Sequence, residues 1–260
     1  MNLEKLKNDW ESLAKSDALH AILTDESKAG GKWQLEDFMA TGEAEISTVM
    51  DHLRRIGHEP EYSGAALDFG CGVGRLTQAL GRRFASCVGV DISQEMIDQA
   101  VRLNQYHHCQ YLVNSSTALP FQDGTFTFIY SNIVLQHVPP RFAELYLREF
   151  VRILKPDGIL VFGVQDSFAM PDLSSRVMRI RQTLRIRTRM KRLLGSSAGE
   201  MLMHCLPEGT VRRALGPKVR VVDIRCTNTA AKDFNGKLEY LDQPPLSGFV
   251  SRQYCALKES

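Results

Sequence analysis

The stretch LDFGCGVGRL, Leu67–Leu76, sets three glycines, at 70, 72 and 74, between a short apolar run and a helical segment. Glycine at such a junction lets the backbone turn tightly and lets a ligand approach the main chain. The helix that follows offers free N–H groups to a polar ligand. Two ligand classes fit a loop of this kind, and the register separates them. The dinucleotide fingerprint G-x-G-x-x-G requires glycine at position 75. Arg75 stands there instead, the glycines fall as G-x-G-x-G, and Asp68 sits two positions before the first of them.

Working outward, short apolar runs alternate with helical patterns. AALDF (65–69), SCVGVDI (86–92), CQYLV (109–113), FTFIYS (126–131) and GILVFGV (158–164) are expected strands. Arg75–Arg83, Gln94–Asn104 and Arg141–Leu154 carry apolar residues at i, i+3, i+4 spacing and are expected helices. That alternation predicts βαβ units and a parallel sheet covered on both faces. VRVVDIRC (219–226) and GFVSRQYCAL (248–257) read as two further strands, the last alternating as an antiparallel strand does. Before Ala65 lie an amphipathic helix over roughly 3–15, a break at Gly30-Gly31, and a helix that Thr41 can N-cap.

The register and four ordered motifs together resemble the class I S-adenosylmethionine-dependent methyltransferases, whose first motif is [D/E]-x-G-x-G-x-G. VGVDIS matches the end of their second strand, ALPFQDGTFTFIYSNIVLQHV their third loop and fourth strand, and LREFVRILKPDGILVF the helix and fifth strand. The likeness is close over about 60–165. Within the family it is similar to the bacterial small-molecule enzymes described as type 11.

The resemblance implies an α/β, doubly wound, Rossmann-like sheet of seven mostly parallel strands with an antiparallel last strand. It also implies an N-terminal helical cap over 1–60, a methyltransferase domain over 61–260, and a basic helical lid over 171–215 between strands 5 and 6. The implied cofactor is S-adenosyl-L-methionine, with S-adenosyl-L-homocysteine as product. Its site would use Asp68, Gly70, Cys71, Gly72 and Gly74 from the first motif. Asp91 would accept both ribose hydroxyls, with Ile92 and Met96 beside it. Where relatives carry Gly-Asp for the adenine amine, this chain has Asn114-Ser115, so Ser115, Ser116 or Asn114 must serve; Asn132 follows the fourth strand. Neutral acceptors there bind more weakly than a carboxylate.

Methyl transfer needs donor and acceptor aligned and water excluded; a base helps where a hydroxyl proton must leave. His137 and Asp166 are the candidate catalytic residues. Against those roles stand a packing role for His137 and a helix-capping role for Asp166. His204 either covers the site or is structural, and Trp33 and Phe38 either close over the cofactor or staple the N-terminal helices.

Nucleic-acid acceptors are disfavoured. Base-amine methylating enzymes carry [D/N/S]-P-P-[Y/F] after the fourth strand, whereas this chain reads SNIV. The expectation is thus an enzyme acting on an O or N atom of a small molecule. The alternatives are an NAD-dependent oxidoreductase, which Arg75 argues against, and a non-catalytic S-adenosylmethionine-binding protein.

Composition fits a soluble cytoplasmic protein: 260 residues, 43% hydrophobic, 24% charged, net charge +2. The six cysteines form no C-x-x-C pair and there is no H-x-x-x-H, so neither a metal site nor a disulfide framework is expected. No run approaches the ~20 apolar residues of a membrane span. Ser174–Gly195, however, holds eight Arg or Lys and no acid, leaving the rest of the chain at −6. That segment reads as a solvated face, as a recognition surface for an anionic acceptor, or as a contact for anionic lipid or RNA.

Overall fold

The computed structural model describes residues 2–169, 201–231 and 234–260. The basic stretch 174–195, and with it most of the expected lid, lies outside the described residues.

Eight strands form one sheet. They are β1 (Ala65–Phe69), β2 (Ser86–Asp91), β3 (Cys109–Val113), β4 (Phe126–Ser131), β5 (Leu154–Ala169), β6 (Val219–Thr227), β7 (Tyr240–Leu241) and β8 (Gly248–Lys258). Their order is β3-β2-β1-β4-β5-β8-β6-β7. The first five pair in parallel, and β8 runs antiparallel between β5 and β6. This is the expected Rossmann-like sheet with one addition: β7 is a two-residue antiparallel edge on β6. Two residues carry no period, so this strand leaves no pattern to read in the sequence. The chain moves outward from β1 through β2 to β3, then returns to β4 on the other side. The crevice between the ends of β1 and β4 is therefore the switch point, where ligands bind in such sheets.

Alternate strand residues feed two cores. Leu67, Phe69, Ile129, Leu160, Phe162 and Tyr254 pack with α5 (Pro140–Ile153) and α6 (Glu208–Leu215). Ala66, Phe128, Tyr130, Ile159, Val161 and Cys255 face α2 (Leu35–Arg55) and α3 (Arg75–Gly81). Every residue of β4 is buried, which explains why FTFIYS reads as a continuous apolar run rather than an alternating one. α4 (Gln94–Leu103) follows β2, N-capped by the Ser93 hydroxyl, which accepts from the Met96 N–H at 3.2 Å.

The N-terminal helices differ from expectation. α1 spans Leu3–Ile22, not 3–15, because a kink at Asp17 lets it continue. The Asp17 carboxylate accepts from the His20 N–H at 3.2 Å and the Gly31 N–H at 2.8 Å, tying the kink to the Gly30-Gly31 turn. α2 starts at Leu35, so Thr41 is interior and not its cap; its hydroxyl donates to the Phe38 carbonyl. The buried stripe of α2 begins at Phe38, and burying that side chain favours helix ahead of the apparent Thr41 start. α2 lies so close to α3 that a Cβ on Gly42 would run into the Arg75 carbonyl.

Candidate active site

At the switch point a cavity of about 870 Å³, its open mouth included, lies over the glycine loop. Gly72 has φ +52°, and a Cβ there would sit 2.5 Å from Ile22 Cδ1. Gly74 has φ +86° and would meet the Tyr111 hydroxyl at 2.6 Å. Both backbone sign and space thus require glycine.

Asp91, last residue of β2, is pinned from two sides. Its Oδ2 accepts from the Gly72 N–H and its Oδ1 from the Ser93 N–H, each at 2.9 Å. Burial raises the carboxyl above its usual range, and these N–H contacts oppose that rise. A carboxylate oxygen has more than one lone pair, so Asp91 can still accept from a ligand in the cavity it lines. Gly70, Cys71, Gly72, Ile92, Met96 and Asn132 line the same cavity, as does Asn114.

The other expected cofactor residues sit elsewhere. Asp68 lies below the loop and accepts from the Thr77 hydroxyl at 2.6 Å; burial lifts its carboxyl to about 7. Gly74 turns the chain into α3 without lining the cavity. Ser115 and Ser116 are exposed beside it, and the Asn114 amide spends its hydrogens on the carbonyls of Ser116 and Ala118. Cys71 is buried and its thiol pushed well up by burial, so it is no nucleophile.

His137 and Asp166 have structural partners. The buried His137 ring bonds through Nδ1 to the Leu202 carbonyl at 2.9 Å, which fixes the proton on that nitrogen. Nε2 then accepts from the Gln136 amide at 3.3 Å, and the Trp10 ring meets the imidazole edge-on at 5.4 Å. Burial depresses the imidazole to about 4. Asp166 accepts from the Glu208 N–H at 3.1 Å at the start of α6 and lies 3.6 Å from Arg252. The His204 N–H donates to the Gln136 carbonyl and the Leu206 N–H to the Gln165 carbonyl, both at 2.7 Å. These contacts hold 201–208 across the ends of β4 and β5. Trp33 and Phe38 staple the N-terminal helices: the indole donates to the Leu23 carbonyl, and the rings meet at 5.5 Å.

Several lining residues were not foreseen. Leu6, Trp10 and Ile22 bring α1 over the cavity, and Tyr146 of α5 closes another side. Glu11 anchors α1 to α4, accepting from the Ser93 hydroxyl at 2.7 Å and the Glu95 N–H at 3.3 Å. The stripe Leu3, Leu6, Trp10, Leu13 was visible as amphipathic, but a stripe does not name what it packs on. Ile133 lines the cavity with φ 61°, a left-handed backbone that a β-branched residue adopts only under strain. Beneath the cavity, Glu45 of α2 is fully buried. It accepts from Arg75 at 2.9 Å, from the Tyr130 hydroxyl at 2.7 Å and from the Asn132 amide at 2.8 Å. Among the described residues no cluster of His, Cys, Asp or Glu could hold a metal ion, and no helix is long and apolar enough to cross a membrane.

Residues 67–162 match the methyltransferase domain family. Tocopherol O-methyltransferase of Arabidopsis thaliana is 26% identical over 161 residues, 58% of this chain and 44% of that protein. Malonyl-[acyl-carrier protein] O-methyltransferase of Erwinia pyrifoliae is 32% identical over 132 residues, 51% of this chain and 47% of that one. The chain thus spans less than half the length of these curated relatives. Magnesium protoporphyrin IX methyltransferase from Synechocystis, solved with bound S-adenosylmethionine, shares the fold with a TM-score of 0.60 at 15% identity. That match covers 99% of this chain and 97% of that one.

Proposed function

We propose that the chain, whose residues 67–162 match the methyltransferase domain family, is a class I methyltransferase that moves a methyl group from S-adenosyl-L-methionine to an O or N atom of a small-molecule acceptor. One observation carries this: the Asp91 carboxylate, pinned by the Gly72 and Ser93 N–H groups, faces a cavity floored by the G-x-G-x-G loop. The residues present fit the cofactor. Asp91 would accept the ribose hydroxyls and Ile92 and Met96 would pack beside the base; of the three candidates for the amine, Asn114 is the one that lines the cavity. When bound, the cofactor supplies a methyl group on a sulfonium for in-line displacement.

The protein's part is to align the acceptor and exclude water. Leu6, Trp10, Val138 and Tyr146 give the cavity apolar walls for that purpose. Apart from Asp91, no carboxylate or imidazole lines the cavity among the described residues, so transfer runs by positioning, without a general base from that set. His137 and Asp166 act by holding 201–208 in place. The eight basic residues of 174–195 suit an anionic acceptor, and 1–60 serves as a cap on the domain over 61–260.

Calorimetric titration tests the proposal. S-adenosylhomocysteine should bind, NADH should not, and Asp91→Ala should weaken the former about 10- to 100-fold, as loss of hydrogen bonds to a charged group does. Binding of NADH alone would sink it.

A further inference from the structure

Every histidine of the chain lies among the described residues, and none of them lines the cavity. The titratable side chains that do line it, among the described residues, are Asp91, Cys71, Tyr146 and Arg75. None of the four is placed to take a proton from an acceptor. Asp91 is held by the Gly72 and Ser93 N–H groups. The Cys71 thiol is pushed well up by burial and keeps its proton. The Tyr146 hydroxyl donates to the Ser116 carbonyl at 3.1 Å, and burial lifts it to about 12. Arg75 turns its guanidinium to α2, where it pairs with the buried Glu45 at 2.9 Å. Residues 170–200, outside the described set, contain no histidine, cysteine or tyrosine, and their acids are Asp172 and Glu200.

The walls add a second constraint. Leu6, Trp10, Phe69, Val134 and Val138 are apolar, so a charge inside is poorly screened and costly unless it meets its opposite. Each class of acceptor fares differently against such walls. A hydroxyl or an ammonium must shed a proton before it attacks, and even a phenol or an alkylamine holds that proton to about pH 10. A neutral nitrogen would take over the donor's positive charge and leave a cation in the apolar cavity. A carboxylate is already ionised at neutral pH and brings the opposite charge. Resting on the proposed cofactor and reaction, we propose that the acceptor atom is a carboxylate oxygen of an acid with an apolar body, and the product a methyl ester. The carboxylate oxygen attacks the methyl carbon, and the carbon–sulfur bond breaks with its electron pair left on sulfur. An ester and a thioether result, and the two charges cancel. No proton moves, which is how the cavity does without a base, and low-dielectric walls favour a step that removes charge.

Calorimetry on the full chain reads the charge pairing without turnover. The protein is loaded with S-adenosylhomocysteine, neutral at sulfur, or with sinefungin, which carries an ammonium where the donor has its sulfonium. Two sets of ligands with matched bodies are then titrated: decanoate, 1-decanol and decylamine, and 2-naphthoate, 2-naphthalenemethanol and 2-naphthylmethylamine. At least one acid should bind the sinefungin complex about 10- to 100-fold more tightly than the S-adenosylhomocysteine complex, while its matched alcohol changes within about twofold. If neither acid prefers the sinefungin complex, or the alcohols or amines prefer it as much, the proposal is overturned. With S-adenosyl-L-methionine the preferred acid should gain a methyl group that mild alkali releases as methanol. Methyl on the alcohol or amine, with the acid untouched, overturns the proposal as well. If the protein binds neither S-adenosylhomocysteine nor sinefungin, the cofactor assignment itself fails, a result distinct from a loaded protein that ignores the acid's charge.

Discussion

His137 and Asp68, both buried near the glycine loop, are pushed by burial in opposite directions with opposite consequences. His137 is depressed from 6.5 to about 4, so the folded state prefers the neutral ring. Its contribution is present above pH 6.5 and is lost as pH falls toward 4, by up to about 3 kcal/mol. Urea midpoints at pH 4.5, 5.5 and 7.5 should fall steeply at the acid end for wild type and less for His137→Gln; parallel profiles would refute the assignment. Asp68 is raised from 3.8 to about 7, so the protonated acid is the one the fold prefers. Its stabilisation is full below pH 3.8 and disappears as pH rises through 7. Asp68→Asn keeps an acceptor for the Thr77 hydroxyl and cannot ionise, so its stability relative to wild type should improve between pH 5 and 8, by about a few kcal/mol at most. A constant difference across that range would count against a raised Asp68. Neither environment can be read locally, because each depends on residues brought in by the sheet.

At the scale of elements, α1 and α2 do most to shape the site beyond the strand ends. α2 supplies Glu45, which reads in sequence as one more polar residue of an amphipathic helix, yet its partners Tyr130 and Asn132 are 85 and 87 residues away. α1 supplies Leu6, Trp10 and Ile22 as cavity wall, with Glu11 as its clasp on α4. Burial works against that carboxyl's ionised form, but the bonds from Ser93 and Glu95 outweigh it and lower its pKa. Glu11→Ala removes the clasp without touching the cavity. The expected result is a loss of about 0.5–2 kcal/mol of docking, as for other capping side chains, read as faster amide exchange across residues 6–22. S-adenosylhomocysteine affinity should fall about 3- to 10-fold through the same displaced wall. Unchanged exchange would remove Glu11 from this role.

Across the whole molecule, the elements legible in sequence were those with local signals. β1 to β5 announced themselves as apolar runs between helical periods, and the loop announced its ligand class through Arg75 standing where a third glycine would be. The start of α2, the extent of α1 and the edge strand β7 were set by contacts far along the chain and could not be read. The same holds for the polar chain that joins the two halves of the sheet. Thr227 and Thr229 hydroxyls meet at 3.0 Å, Thr229 and Ser251 at 2.7 Å, Ser251 donates to Gln165 at 3.1 Å, and Gln165 donates to Gln136 at 2.8 Å. Gln136 in turn reaches His137. Gln165→Leu leaves buried groups unpaired on both sides and should cost about 2–3 kcal/mol in urea unfolding. Combined with Ser251→Ala the loss should be less than additive, by about 0.5 kcal/mol or more; strict additivity would show that the links act separately. The helical wall carries a further thermodynamic consequence. A ligand that touches both the sheet and α1 is linked to the docking of that helix, and linkage is reciprocal. Whatever factor undocked α1 subtracts from ligand affinity, the bound ligand must return as added protection of the same helix, so a hydrogen-exchange trace of residues 3–22 doubles as a binding curve.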